Sequence, residues 1–322
     1  MLQETAASQQ PQQQQQVLLV DVSQELENAL AHCQWQEAAL CVDRANTLLM
    51  GRGSADAPQL AQSHPDWYLH FRLQSVRSLV EGDGREVMGE ECPSSLQSVF
   101  SASSNTQMQQ QTSPVRCSLY RAVSSVALFQ VLISRVDVLA LRAMTDSAAV
   151  ADANTLATTV ELWRKKSKNA VLQLKASILA EVAPSKEEPD CGGMVSYLRL
   201  RAVYLVLQII IFVRQGRFEE CLKMRKKVYR VFSRLDRFSS GKLEDPLTGP
   251  TGASLIGLLE GLLCISARNM GRITDSDTFA CRGIVALQDD LRQYQEQNSP
   301  DTPFQGAVFG FRSTSEHATC LR

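Results

Sequence analysis

The sequence lacks a surplus of charge of either sign, since 33 Lys and Arg residues stand against 34 Asp and Glu residues among 322. The formal net charge of -1 excludes the overall basic excess from which nucleic-acid binding can be inferred by composition alone. Glycine and proline are also scarce: 17 Gly and 11 Pro fall below the roughly 12% that these two residues average together in globular chains. This scarcity argues against turn-rich all-β architectures.

Sequence motifs for dinucleotide, phosphate and metal binding are missing as well. Gly82 and Gly84 are followed by Val87 where a dinucleotide-binding loop requires its third glycine, and residues 249 to 254 lack the lysine of a phosphate-binding loop. The four histidines are scattered and no two cysteines have the Cys-x-x-Cys spacing, which argues against a structural zinc site. We therefore predict that the protein is not an enzyme and that it binds no cofactor or metal.

Cysteine usage and the lack of a signal segment bear on the cellular compartment. The nine cysteines form no tight pairs, and several lie in helical patterns in which a thiol packs as a small apolar group. The N-terminal residues contain neither the basic segment nor the apolar segment of a secretory signal. The most apolar stretch, residues 202 to 213, is about a dozen residues long, whereas a bilayer span needs roughly 20. We expect a cytoplasmic or nuclear protein without a transmembrane segment, in which this stretch forms a buried central helix.

What the sequence has in abundance is helical periodicity. Between residues 115 and 139 apolar side chains recur at steps of three and four for about seven turns, a spacing that a strand cannot produce. The same pattern recurs from 156 to 182, and Asp275 to Asp277 are predicted to cap a helix that begins at Thr278. Further helices are predicted at 17 to 49 in two short pieces, and at 67 to 81, 195 to 213, 218 to 237, 254 to 269 and 278 to 295. The predicted fold is all-α, an irregular stack of antiparallel helix hairpins, α-solenoid-like or a bundle, with about nine helices.

Composition divides the chain into one helical domain and two tails. Residues 1 to 16 are Gln-rich and should form a disordered tail, and residues 298 to 322 should form a flexible C-terminal tail. The region between them, 17 to 297, is predicted to be a single helical domain. Inside it we expect a flexible insertion at about 92 to 114 and loops at about 184 to 193 and 239 to 253.

Two segments resemble the second helix of a tetratricopeptide unit, in which an aromatic residue opens the helix and small residues follow three and ten positions later. In Trp35 to Ala45 both small residues are alanines. In Gly216 to Val228 a glycine turn, Phe218 and Cys221 repeat the opening, while Val228 stands where the second small residue is expected. The resemblance implies helix hairpins that stack. The two segments are not separated by a fixed period of about 34 residues, so a regular array is not implied and an irregular bundle is the alternative.

A basic stripe lies beside an apolar stripe on the predicted helix 218 to 237, and its members fall within roughly a 100° arc. These residues are Lys223, Lys226, Lys227, Arg230, Arg234 and Arg237. The stripe is interpreted either as a docking face for an anionic partner or as a solvated face whose cations suit the C-terminal end of the helix dipole. A smaller basic cluster, Arg164, Lys165, Lys166 and Lys168, is a candidate to flank the same surface.

Function is then predicted by elimination. Helical stacks without cofactor loops or metal ligands usually present grooved surfaces to other proteins, so we predict a non-enzymatic adaptor or scaffold subunit of an intracellular protein complex. The alternative is binding of an anionic surface, which would be nucleic acid, an acidic peptide or a lipid headgroup, through the basic face of helix 218 to 237. A third hypothesis, a hydrolase or transferase, requires a polar cluster with perturbed pKa values in a deep pocket.

Overall fold

The computed structural model describes most of the helical domain. The described residues are 34–50, 67–73, 91–105, 112–146, 148–182, 191–238 and 252–297, together with single positions between 18 and 29. The predicted tails 1–16 and 298–322 lie outside these residues, as do most of the predicted loops at 184–193 and 239–253. All elements in the described part of the chain are helices and none is a strand, which confirms the all-α prediction.

Ten helices are described, and they are labelled α1 to α10 in chain order. The label α1 denotes the helical positions between 18 and 29, and α3 denotes 67–73. The others are α2 (Trp35–Met50), α4 (Glu91–Ala102), α5 (Pro114–Ala143), α6 (Ala148–Ser177), α7 (Cys191–Arg214), α8 (Phe218–Phe238), α9 (Gly252–Asn269) and α10 (Ile273–Gln297). Helix α6 continues into a π-helical turn, Ile178–Val182.

The flexible insertion predicted at 92–114 is wrong for its first part, because this part forms helix α4. Cys92, Leu96 and Val99 recur at steps of four and three, and each is at most 1% exposed. The serines between them are exposed or half-buried, and their low hydropathy concealed the apolar stripe in the sequence. Residues 106–111 of the stretch lie outside the described residues.

Helix α10 begins earlier than predicted, at Ile273 instead of Thr278. Gly271 adopts φ 72°, the left-handed conformation that commonly ends a helix and that glycine adopts without strain. The N–H of Ser276 then donates to the carbonyl of Arg272 at 3.0 Å as the first turn of α10 closes. Asp275 therefore lies inside the first turn, where the helix dipole favours a carboxylate, instead of capping the helix from outside.

Helices α5 and α6 form the long pair that the periodicity predicts, and polar contacts show that they run antiparallel. The hydroxyl oxygens of Ser118 and Ser177 lie 2.9 Å apart at one end of the pair. Nearer its middle, the Ser167 hydroxyl donates to the Ser125 carbonyl at 2.7 Å. Both contacts are between buried or half-buried groups, so they fix the register of the pair from within.

The N-terminus of α5 is capped by a residue from the far end of α6. Glu181, in the π-helical turn, accepts hydrogen bonds at 3.1 Å from the Val115 N–H and from the Ser113 hydroxyl. Pro114 stands at the start of the helix, where its missing N–H leaves no donor unsatisfied. The carboxylate thus supplies both a hydrogen-bond acceptor and a negative charge at the positive end of the helix dipole.

Buried apolar side chains form two clusters that share α5 and α6. The N-terminal core joins α1 to α4 with Tyr120 and Phe129 of α5 and Trp163 of α6. The C-terminal core joins α7, α8 and α9 with Leu119 of α5, Leu174 of α6 and neighbouring residues. Trp67 and Trp163 are 6% and 4% exposed, so both pack in the core.

Helix α7 lies at the centre of the C-terminal core, as its nearly uniform hydrophobicity predicts. Between Ala202 and Ile211 only Gln208 is not buried, and the helix contacts α5, α6, α8 and α9. By length and composition alone, Pro114–Ala143 and Met194–Arg214 are apolar enough to cross a bilayer, with mean hydropathies of 1.6 and 1.7 over 18-residue windows. This corrects the shorter span estimated from the sequence. In the fold, 44% and 61% of these windows are buried.

A tight turn at Gly216 joins α7 to α8. Gly216 has φ 68°, and the N–H of Arg217 donates to the Phe212 carbonyl at 2.9 Å, which closes the C-terminus of α7. The Arg217 guanidinium lies over the Phe212 ring, 4.4 Å from its centroid. In the first turn of α8 the buried Cys221 thiol donates to the Ile209 carbonyl at 3.8 Å, so the small side chain brings the two helices close together.

Candidate functional site

The predicted basic stripe lies on α8, and the side chains of its described residues are exposed to solvent. Lys223, Lys226, Lys227, Arg230 and Arg234 are exposed, whereas the side chain of Arg237 lies outside the described residues. The neighbouring apolar stripe is buried, with Cys221 and Val228 at 0% exposure and Met224 at 8%. Helix α8 is therefore amphipathic in the arrangement that its sequence indicates.

Part of the stripe borders a groove between α8, α7 and the end of α6. A cavity of about 520 Å³ lies there, with Lys223 and Lys227 of α8 opposite Lys175 of α6. A second cavity of about 480 Å³ lies toward the C-terminal end of α8, with Arg230 at its edge. Arg201 of α7 and Lys227 line both cavities, so the two adjoin. Together they are termed the basic groove.

Positive charge dominates the lining of the basic groove. Six cations border it, namely Lys175, Arg201, Lys223, Lys227, Arg230 and Arg234. Glu220 is the one carboxylate among the described lining residues, and Arg217 donates to it at 3.0 Å. A backbone hydrogen bond and the Arg217 guanidinium lower the pKa of Glu220. Because this carboxylate already has a cationic partner outside the groove, it does little to neutralise the groove cations.

Most of these cations are available to a ligand. Lys223 pairs with Glu219 of its own helix at 2.8 Å, an exposed contact of little energetic weight. Within the described part of the chain, Arg201, Lys227 and Arg230 form no ion pair. An anionic ligand would therefore gain these cations without displacing a carboxylate.

Arg201 is the central cation, because it projects from α7 between the two cavities. Its Nη1 donates to the Tyr197 hydroxyl at 3.1 Å, and its guanidinium lies 5.8 Å from the centroid of the same ring. The two residues are four positions apart, on one face of the helix. Tyr204, one turn further along α7, is 8% exposed, and burial raises the pKa of its hydroxyl while the charge of Arg201 opposes that rise.

The floor of the groove is apolar. Ile178, Leu205 and Met224 line the first cavity and are 3%, 5% and 8% exposed. The half-buried Phe212 continues this surface. The groove thus has apolar side chains at its base and cations at its rim.

The smaller basic cluster reaches the groove only at its edge. Arg164 and Lys165 are engaged with Glu161, and the ammonium group of Lys166 lies 4.3 Å from the centroid of the Trp163 ring. Lys168 lines a minor cavity of about 160 Å³ that borders the first cavity through Gln208 and Phe212. One member of the cluster, Lys168, therefore lies next to the basic groove.

Sequence reasoning missed the contribution of α7 to this site. Neither Arg201 nor Tyr197 was among the residues predicted to line the site. The sequence does contain one indication of their role: they are four positions apart in a helix predicted to be central. The charged side chain of an arginine in such a helix must reach a cavity or the surface. Lys175 gave no signal, since only the fold brings the end of α6 beside α8.

Two observations bear on metal binding and nucleophilic chemistry in the described residues. No group of three His, Cys, Asp or Glu side chains close enough to hold a metal ion occurs among them. The Cys221 thiol lies near the groove but is 0% exposed, and burial raises its pKa, which disfavours the nucleophilic thiolate. Comparison of the chain with protein-family models, with curated proteins and with solved structures finds no match.

Proposed function

We propose that the protein is a non-enzymatic adaptor or scaffold subunit that binds an acidic segment of a partner protein in the basic groove. The observation that supports this most directly is the set of six cations, facing one already paired carboxylate, around an apolar floor. The α7–α8 hairpin, which carries the resemblance to a tetratricopeptide unit, is the binding unit in this proposal. Such hairpins commonly present grooves to peptides.

Two features favour a peptide over a nucleic acid. The aliphatic side chains of Ile178, Leu205 and Met224 can bury an apolar residue of the ligand, whereas a phosphate backbone has no group to place there. A cavity of about 520 Å³ accommodates a few side chains. We therefore expect a short acidic segment with one or two apolar anchor residues, flanked by carboxylates that reach Arg201 and Lys227.

The proposed site is in the cytoplasm or nucleus. Cys41 and Cys221 are free thiols and support this compartment, because a reducing interior maintains unpaired cysteines. Co-purification from a cell extract identifies the partner, and a stoichiometric partner is expected.

The direct test is a titration of fluorescein-labelled peptides that combine Asp or Glu with Leu or Phe against the full-length protein. We expect saturable binding that weakens as the salt concentration rises. Lys227→Glu should reduce the affinity about fivefold, because it reverses a charge shared by both cavities. Lys226→Glu is the matched control, since it makes the same change at the adjacent exposed position outside the groove, and it should alter the affinity by less than about twofold.

Two results would contradict the proposal. One is the absence of saturable binding of any such peptide. The other is an equal loss of affinity in Lys226→Glu and Lys227→Glu, which would show that the charge of the helix matters and the groove does not.

A second candidate function, binding of a polyanion across the whole face of α8, rests on a separate observation. Lys226 is exposed outside the groove, next to Arg230 and Arg234 at the groove rim, so the basic face extends beyond the groove. In the same assay, a single-stranded RNA or an anionic phospholipid vesicle would then bind with a steep salt dependence. Equal weakening of that binding by Lys226→Glu and Lys227→Glu, without binding of acidic peptides, would favour this second candidate.

A further inference from the structure

A second groove lies near the other end of the described chain, between α1 and α2, and encloses about 1020 Å³. Each helix lines it with one face. Leu18, Val22 and Ala29 come from α1, and Leu40, Cys41 and Leu48 come from α2. The N–H of Gln34 donates to the Ala29 carbonyl at 2.8 Å, which ties the start of α2 to the end of α1. The two helices therefore form a hairpin with an apolar channel along one side.

This channel has a buried floor and leucines at its edges that the rest of the described chain does not cover. Val22, Ala29 and Cys41 are 1%, 3% and 7% exposed. Leu18 and Leu40, in contrast, are 48% and 62% exposed. A third helix laid along the channel would cover both leucines and complete the packing of α1 and α2.

Carboxylates surround the same channel. Asp21, Glu25, Glu37 and Asp43 line it, and Arg44 is the one cation among the described lining residues. Arg44 forms an ion pair with Glu25, so Asp21, Glu37 and Asp43 are left without an ion-pair partner among the described residues. The pKa of the Cys41 thiol at the floor is raised by burial and further by Glu25, which is consistent with a negative potential in the channel. We refer to the channel and these carboxylates as the acidic groove.

We propose that the acidic groove binds an amphipathic helix of a partner protein whose apolar stripe is flanked by Lys or Arg. The apolar channel supplies the contact for the stripe, and the three carboxylates without a pairing partner supply the charge complementarity. The inference does not rest on the basic groove, because the two sites share no residue and are opposite in charge.

A second copy of this chain fits the acidic groove less well. The chain's own basic amphipathic helix is α8, but its apolar residues Cys221, Val228 and Phe232 are at most 2% exposed in the C-terminal core. The cations of α8 in a second copy could therefore reach the carboxylates of the groove, but its apolar side chains could not pack against Leu18 and Leu40. The acidic segment proposed for the basic groove is repelled here by charge of the same sign.

The probe is a synthetic peptide of about four helical turns, with leucines on one face and lysines beside them. It carries a fluorophore and is titrated with the full-length protein. A peptide of the same residues in an order without a stripe is the control. We expect saturable binding of the striped peptide alone, weakened by salt.

Two variants of the groove and two matched variants elsewhere test the site. Leu40→Asp and Glu37→Lys should each weaken binding about tenfold, because one places a charge in the channel and the other reverses a carboxylate. Leu141→Asp and Asp152→Lys make the same changes at exposed positions outside the groove and should alter the affinity by less than about twofold. Lys227→Glu should leave this binding intact, which separates the result from that for the basic groove.

Three outcomes would overturn the inference. The first is equal binding of the striped and unstriped peptides. The second is equal loss of affinity in the groove variants and the matched variants. The third is a wild-type dimer, measured by light scattering, that Leu40→Asp converts to a monomer, because a second copy of the chain would then be the occupant.

Discussion

His70 is uncharged in the folded protein at neutral pH, because aromatic side chains enclose it. Its ring lies edge-on to Trp67 and Phe71, with centroids 5.7 and 5.2 Å away, and its Nε2 is 3.2 Å from the Ser23 hydroxyl oxygen. The residue is 2% exposed, and burial lowers its pKa from 6.5 to about 4. Protonation would place a charge in the N-terminal core with no carboxylate to pair it among the described residues.

The pH dependence of stability follows from this difference in pKa. Between pH 6.5 and about 4 the unfolded chain binds a proton at His70 that the folded chain does not bind, so the free energy of unfolding falls as the solution is acidified. The full effect is about 3 kcal/mol at about 1.4 kcal/mol per pKa unit. Urea unfolding followed across this range should show the loss in the wild type, and His70→Gln, which cannot titrate, should reduce it.

Ser23→Ala is the control for this prediction, because it removes the hydrogen bond and keeps the titrating ring. Its acid dependence should match that of the wild type. Burial raises the pKa of Glu260, so the contribution of this residue to the free energy of unfolding is lost as the pH rises through its folded pKa. This pH dependence is opposite in sign to that of His70. The prediction therefore concerns the difference between wild type and His70→Gln, and an unchanged pH dependence in that variant would contradict it.

At the scale of elements, α9 and α10 approach each other closely at Gly283. A Cβ atom at Gly283 would lie 3.1 Å from the Cβ of Glu260 and 3.6 Å from the carbonyl oxygen of Gly257. At Gly261, on the exposed side of α9, an added Cβ would meet no atom within 4 Å. The two glycines thus differ in packing while both lie inside helices.

This difference predicts opposite effects of one substitution. Gly283→Ala should lower the free energy of unfolding by about 1 to 2 kcal/mol, because α9 and α10 must separate. Gly261→Ala should raise it by about 0.5 to 1 kcal/mol through helix propensity alone. Thermal unfolding of both variants checks the pair. Equal stabilisation by both would show that the helices are not in close contact at Gly283.

How well each element can be predicted depends on how strongly apolar its buried stripe is. Helices α5, α6 and α7 have stripes of Val, Leu and Ile, and the sequence predicts them well. Helix α4 has serines between three buried residues, so its composition resembles that of a loop. The start of α10 depends on the backbone conformation of Gly271, which no side-chain pattern reports. Of the basic groove, the α8 stripe is predictable from spacing, but the contributions of α6 and α7 require knowledge of which helices are neighbours.

At the scale of the whole molecule, the two cores are joined by α5 and α6. Leu119 and Val126 of α5 belong to the C-terminal core, whereas Tyr120 and Phe129 of the same helix belong to the N-terminal core. Phe100 packs against both. One helix therefore contributes side chains to both clusters, and removal of α5 would expose apolar side chains in each of them.

We predict that the described helices unfold in one cooperative transition. Trp67 and Trp163 belong to the N-terminal core, and the third tryptophan, Trp35, begins α2, which contributes to the same core. Tryptophan fluorescence therefore reports the N-terminal part of the fold, while circular dichroism at the helical minimum reports all helices. The two transitions in urea should coincide. A fluorescence midpoint that differs from the dichroism midpoint would show that the two cores unfold separately.

The central position of α7 has a consequence for biosynthesis. The ribosome completes this nearly uniformly apolar helix before it makes α8 and α9, two of the four helices that cover it. During that interval the nascent chain exposes an apolar segment whose length and hydropathy match those of a bilayer-spanning helix. A chaperone or a targeting factor that binds apolar segments of nascent chains would therefore meet α7 before α8 and α9 can cover it.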